Sequence, residues 1–185
     1  MLNSIPELQN SSNQIERLAA QRYIYSSAKR IQALQLALAI PVTVILSITS
    51  LFIPLIAPWQ AIYGLSIVLL ESILESYQRN LREQAAKIQE LFDCDVLNLS
   101  WNELEIGLKP DVETVIENHK KFLQTGGNIE KLSNWYPLVV GNLPIHLARL
   151  VCQRTNLRWD YQLRRWFGVR ALVLSIIVIV LLIVV

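Results

Sequence analysis

The side chains with the greatest chemical reach lie late in the sequence, where residues 141–170 carry six arginines and one acid, a net charge of +5. On a helix turning about 100° per residue, Arg154, Arg158, Tyr161 and Arg165 fall within a sector of about 60°. Guanidinium forks match phosphate oxygens, and the rings of Trp159 or Tyr161 can stack on bases. The stretch therefore reads as a surface for a phosphate-bearing ligand. A second reading treats the same arginines as cytoplasmic anchors of a membrane span. They would also pair with residues 71–110, which hold eight acids against four bases. Both readings stand on the sequence alone.

Other residues offer less. Gly126-Gly127 lacks the lysine and hydroxyl of a phosphate loop and follows no strand, so it reads as a helix stop. His119 stands beside Lys120 and Lys121 and is expected to be solvated. His146 follows Pro144 and is expected to pack or cap. Asp93 and Asp95 have no further acidic or histidine partners at ligand spacing, so no metal site is expected. Cys94 and Cys152 lie 58 positions apart, which suits neither a disulfide framework nor a zinc site and fits a reducing compartment. With no serine in a nucleophile elbow either, no catalytic residue, cofactor or enzymatic activity is expected.

The elements that must position the arginines are membrane helices. The chain is 52% hydrophobic over 185 residues, and the apolar residues are gathered into long runs. Ile31–Ala57 is 27 residues without a charge, long enough to cross a bilayer and begin a turn. Pro41 predicts a kink, and Pro54, Pro58 and Trp59 mark the return. Trp59–Leu74 follows as a second span, interrupted by Glu71. By the helical rise Glu71 lies about 18 Å from Trp59, so it either reaches water by tilt or is an intramembrane carboxylate facing a bundle interior. Thr43, Ser47 and Ser50 form a small polar stripe that reads either as a helix-packing face or as the lining of an aqueous path. Basic residues flank these spans at Arg17, Arg22, Lys29 and Arg30, and again at Arg79, Arg82 and Lys87. Arg164, Arg165 and Arg170 precede a third apolar run, while the Pro54–Gln60 turn is uncharged. The positive-inside rule places the N-terminus and residues 77–170 in the cytoplasm, and the chain in the inner membrane as a multi-pass protein. The third run, Ala171–Val185, reaches only about 22 Å and reads as a span cut short.

The expected class is an all-α integral membrane protein. A cytoplasmic segment covers 1–30, a transmembrane hairpin 31–76, a cytoplasmic helical insert 77–168 and a truncated third span 169–185. Within the insert, the second span is expected to continue as one helix to about Asp93. Ser100 with Glu103 predicts a capping box for a short helix, Pro110-Asp111 opens another, and a last helix runs from about Ile145 into the third span.

The sequence resembles the SMODS-associating four-transmembrane effectors of bacteria. The resemblance rests on Ala19-Ala20-Gln21-Arg22, the stretch Lys87–Leu97, Trp101-Asn102, Asn134-Trp135-Tyr136-Pro137, Leu143-Pro144, and the residues from Ala148-Arg149 through Cys152-Gln153-Arg154-Thr155-Asn156 to Trp159-Asp160. It implies two spans, a cytoplasmic insert and two more spans. It also implies a role in anti-phage defence, in which a nucleotidyltransferase encoded nearby makes a cyclic di- or oligonucleotide and the effector compromises the lipid bilayer. The resemblance brings no ligand pocket with it; from the arginine sector beside aromatic rings, Arg154, Arg158 and Arg165 are expected to hold phosphates and Trp159 or Tyr161 to stack, in a homo-oligomer. Thr43, Ser47, Ser50 and Glu71 are the corresponding candidates in the membrane. The alternative is a membrane-anchored adaptor that recruits a protein partner and conducts nothing.

Overall fold

The computed structural model describes residues 2–184, with the side chains at positions 163, 167, 171, 174 and 178–184 outside the described set. All regular structure among the described residues is helical: α1 (Ile5–Leu8), α2 (Ser12–Ala37), α3 (Thr43–Phe52), α4 (Ala57–Leu97), α5 (Glu103–Ile106), α6 (Val112–Gln124) and α7 (Ile145–Val184). The chain forms two compact units, Leu8–Ser133 and Met1–Glu7 with Asn134–Val185.

In the first unit, α2 leads into a π-helical turn at Leu38–Val42 and then into α3. Pro41 sits in that turn. Its missing N–H and its ring disrupt the helical ladder, and the backbone accommodates this by widening one turn. The Tyr63 hydroxyl donates to the Leu38 carbonyl there at 2.8 Å. A 3₁₀ turn at Pro54–Ile56 reverses the chain. Pro58 then opens α4 in its first turn, where a helix has no use for an N–H. α4 runs 41 residues and stops at Asn98, whose left-handed φ of 52° lets the Leu99 amide donate back to the Cys94 carbonyl at 2.8 Å. Ser12–Phe52 and Pro54–Leu97 are each long and apolar enough to cross a membrane, and their apolar stretches are not buried within the protein. The third expected span lies largely on side chains outside the described set, although the α7 backbone continues as a helix to Val184.

α2 and α4 pack side by side, α6 packs on α2, and apolar residues fill the space among them. Ala20, Ile24, Ala85, Ile88 and Val115 form a buried cluster, with Tyr25 and Leu81 against it. The alanines let the backbones approach closely, and the β-branched residues fill what remains. Two local expectations are corrected. α5 is capped by Asn102, whose side chain accepts from the Leu104 amide at 3.2 Å, and not by Ser100, because the helix begins only at Glu103. His119 is half-buried rather than solvated, with its Nε2 enclosed and without a hydrogen-bond partner. It follows Val115 by four residues and precedes Phe122 by three, both of them buried, so the helical period turns it inward.

α6 ends as its glycines dictate. Gly126 adopts a φ of +77°, and the Gly127 amide donates to the Phe122 carbonyl at 2.9 Å. A Cβ on Gly127 would lie 2.4 Å from the buried Phe122 ring. Gly127→Ala is therefore expected to destabilise the α6 packing by about 1–3 kcal/mol through overpacking. A lowered thermal midpoint and faster amide exchange confined to α6 would show this, and an unchanged midpoint would contradict it.

Candidate functional site

In the second unit, the start of α7 is held by polar contacts from its own neighbourhood. The Leu2 amide donates to the Gly141 carbonyl at 2.6 Å. The Asn3 side chain donates to the carbonyls of Val140 and Leu143 at 2.7 and 2.9 Å. The amides of Leu147 and Ala148 both donate to the Pro144 carbonyl at 3.0 Å, which starts the helix. Tyr136 is fully buried, and its hydroxyl accepts from the Asn156 side chain at 2.9 Å. That bond fixes the rotation of α7: Ala148 and Cys152, both fully buried, share the side that carries Asn156. The Asn134-Trp135-Tyr136-Pro137 stretch is thus the mount for α7.

The opposite side of α7 carries the arginines. Arg154, Arg158, Tyr161 and Arg165 are exposed on one face of a single unbroken helix. Trp159 is exposed too, but the helical period places it about 100° from Arg158, on the side shared with Trp166. There the Arg170 guanidinium lies 3.4 Å from the centroid of the Trp166 ring. The structure therefore groups Tyr161 with the three arginines and sets Trp159 apart. Arg164 pairs with Asp160 at 2.8 Å, whereas Arg154, Arg158 and Arg165 make no ion pair among the described residues. The arrangement is an open cationic face with one aromatic ring in it.

The membrane candidates sit along the paired helices of the first unit. Thr43, Ser47 and Ser50 are half-buried on α3. Ser47 accepts from the Gln60 side chain of α4 at 2.8 Å, and the Ser50 hydroxyl donates to the Ser47 carbonyl at 2.8 Å. Glu71 is half-buried on α4; its backbone carbonyl accepts from Gln35 of α2 at 3.4 Å, and its carboxylate has no partner among the described residues.

Sequence reasoning missed that these contacts belong to a longer series. Beyond Ser47–Gln60, Leu38–Tyr63 and Gln35–Glu71, the Gln78 side chain donates to the Ala28 carbonyl at 3.0 Å. Arg82 donates to Gln32 at 3.2 Å and Gln21 to Gln89 at 2.7 Å, and Arg17 pairs with Asp95. A signal was present: Gln14, Gln21 and Gln35 recur at multiples of seven residues, with Ala28 filling the remaining place, the spacing that keeps one side of a helix toward an antiparallel neighbour.

The sequence pattern of the SMODS-associating 4TM effector domain matches residues 3–185. The chain belongs to this effector family. A protein named as a probable CBASS effector molecule, from Bacillus cereus strain VD146, is 29% identical to it over 177 residues, which is 92% of this chain and 59% of that protein. The chain thus spans about three fifths of that curated relative. No solved structure matches it. Family membership and the two apolar helical rods together mark this effector as a membrane protein.

Within this series, Gln60→Leu should loosen the hold of α4 on α3, and Tyr63→Phe its hold on the π turn at Leu38, each by about 0.6 kcal/mol and at most about 1.7, as measured for interhelical hydrogen bonds in membranes. Unfolding of the purified protein in bicelles would measure this. Wild-type stability in both variants would mean that these bonds do not hold the pair.

Proposed function

We propose that this effector responds to a cyclic di- or oligonucleotide made by a nucleotidyltransferase encoded nearby, and acts in anti-phage defence by compromising the inner membrane. In this reading residues 1–30 and 77–168 lie in the cytoplasm, 31–76 form a transmembrane hairpin, 169–185 form a third span, and the protein works as a homo-oligomer. Support comes from membership of the effector family, from a relative named as a CBASS effector, and from the basic flanks on one side of every apolar run.

The observation that carries the reading is the continuity of α7. One helix bears the exposed arginine face in its first half and an uncharged run after Arg170. Phosphates gripped by Arg154, Arg158 and Arg165, with a base on Tyr161, would favour one tilt or rotation of the polar half, and the apolar half must follow as the same rod. A ligand with different affinity for two such arrangements shifts the population between them. Glu71 and the Thr43–Ser50 stripe are the residues placed to meet water when the helices separate.

Reconstituted liposomes are expected to leak dye when the cognate cyclic nucleotide is added and to stay sealed without it. Arg154→Ala with Arg158→Ala should weaken nucleotide binding by about tenfold or more, since hydrogen bonds to charged groups contribute about 1.5–3 kcal/mol each. Unchanged binding would exclude this face. Nucleotide binding without leakage, together with stable capture of a protein partner, would favour the adaptor reading, for which the exposed charged surfaces of α5 and α6 speak.

Topology has its own test. Burial first, then the neighbouring Glu90 carboxylate, raises the Cys94 thiol above its usual range, so its thiolate forms only at more alkaline pH; Cys152 is fully buried. Maleimide at neutral pH should therefore scarcely label the native protein, with labelling rising on alkalinisation. Against that silent background, Lys120→Cys should be labelled in opened cells and spared in intact ones. Labelling from outside intact cells would reverse the topology.

A further inference from the structure

Two exposed strips of opposite charge have no use in the reading above, or only a partial one. The first lies on α5 and the start of α6. Leu104, Leu108, Val112 and Ile116 are exposed there at intervals of four residues, and Leu104 is fully so. Between residues 103 and 117 the chain has five acids, all exposed, against Lys109 alone. Glu117 pairs with Lys121 at 2.6 Å and Glu105 accepts from Asn102 at 3.0 Å, while Glu103 and Glu113 make no ion pair among the described residues. Four exposed large apolar side chains interspersed with five acids over one short segment have the composition of a protein-docking surface, and their charge disfavours an anionic lipid surface.

The second strip is the arginine face of α7. By the helical period, Leu147, Leu150 and Leu157 share that face with Arg154 and Arg158, and all five are exposed. It is the chemical complement of the first: leucines interleaved with guanidinium groups, against leucine, valine and isoleucine interleaved with carboxylates. Each guanidinium fork suits a carboxylate in two-point contact, and the apolar side chains between them supply the desolvated centre.

We infer that copies of this chain assemble through these strips, the acidic α5–α6 surface of one copy docking on the leucine–arginine face of α7 in the next. The contact is heterologous, so every copy offers one surface of each kind and the assembly closes into a ring or extends, according to the rotation between copies. The inference goes beyond the messenger reading and stands whether or not nucleotide binds. If Arg154 and Arg158 also hold phosphates, nucleotide and neighbouring copy compete for them.

The test is charge reversal in the full chain, in nanodiscs and without nucleotide, with self-association followed by energy transfer between two labelled populations. Glu103→Arg with Glu113→Arg is expected to weaken association by about tenfold or more, and Arg154→Glu with Arg158→Glu likewise. Mixing the two variants restores association between unlike copies, because the basic α5–α6 strip of the first fits the acidic α7 face of the second, and the unaltered strips of the two still fit each other. Leu104→Ser, a change at a fully exposed position, weakens assembly without altering charge. Association that survives both reversals, or a mixture that regains nothing, overturns the proposal. Loss of nucleotide binding is read separately by titration and bears on the messenger reading alone, since the acidic-side variant touches none of its residues.

Discussion

The structure depends on the polar seam between α2–α3 and α4. Two helical rods, each about 60 Å long by the helical rise, lie side by side, and side chains reach across at intervals along most of their length. At one end of the seam Arg17 meets Asp95; at the other Gln60 meets Ser47. An apolar seam alone would fix neither register nor rotation in lipid, where leucine gains nothing by leaving acyl chains for another helix. Along the apolar stretch the hydrogen bonds of Gln35, Tyr63 and Gln60 fix them, since a polar side chain without a partner in that setting bears the full cost of desolvation. The alanines at positions 20 and 85, both fully buried, add the close approach that brings such short bonds within reach.

This arrangement makes the apolar and polar halves of the first unit continuous. α4 passes from the uncharged turn at Pro58 to the buried cluster around Ile88 without a break. α2 does the same until Pro41, where the π turn introduces the one irregularity, bridged by Tyr63. Any displacement in the α2–α4–α6 packing is therefore delivered to the apolar segments as rotation or tilt of whole helices. α7 repeats the principle in the second unit, with Tyr136 and Asn156 setting the rotation of a helix that bears the cationic face.

Much of this was legible in the residues. The uncharged runs gave the long helices, Pro41 gave the kink, the pair Pro110-Asp111 and Gly126-Gly127 bounded α6, and Pro144 started α7. These signals are local, acting within one helical turn of the residue that carries them. The arginine face was also legible, because a helix obeys its period over any length. What escaped were pairings across sequence distances of 50 residues or more, such as Gln78 with Ala28 and Gln21 with Gln89. A glutamine reads as neutral and polar until its partner is known, and nothing local names the partner. The inward turn of His119 escaped because Lys120 and Lys121 beside it pointed to solvent, and the helix puts neighbours in sequence on different sides. Of the two rings offered for stacking, Tyr161 shares the arginine sector and Trp159 lies about 100° from Arg158, a difference the helical period already carries.

The most direct test of this account is the register of the seam. Cysteines placed at 21 and 89, where the two glutamines meet, are expected to join efficiently through a short bifunctional thiol reagent in native membranes. A pair at 21 and 75, offset by about four helical turns, should not. Efficient joining of the offset pair, or none at 21 and 89 in a folded protein, would show that the helices do not lie together as described.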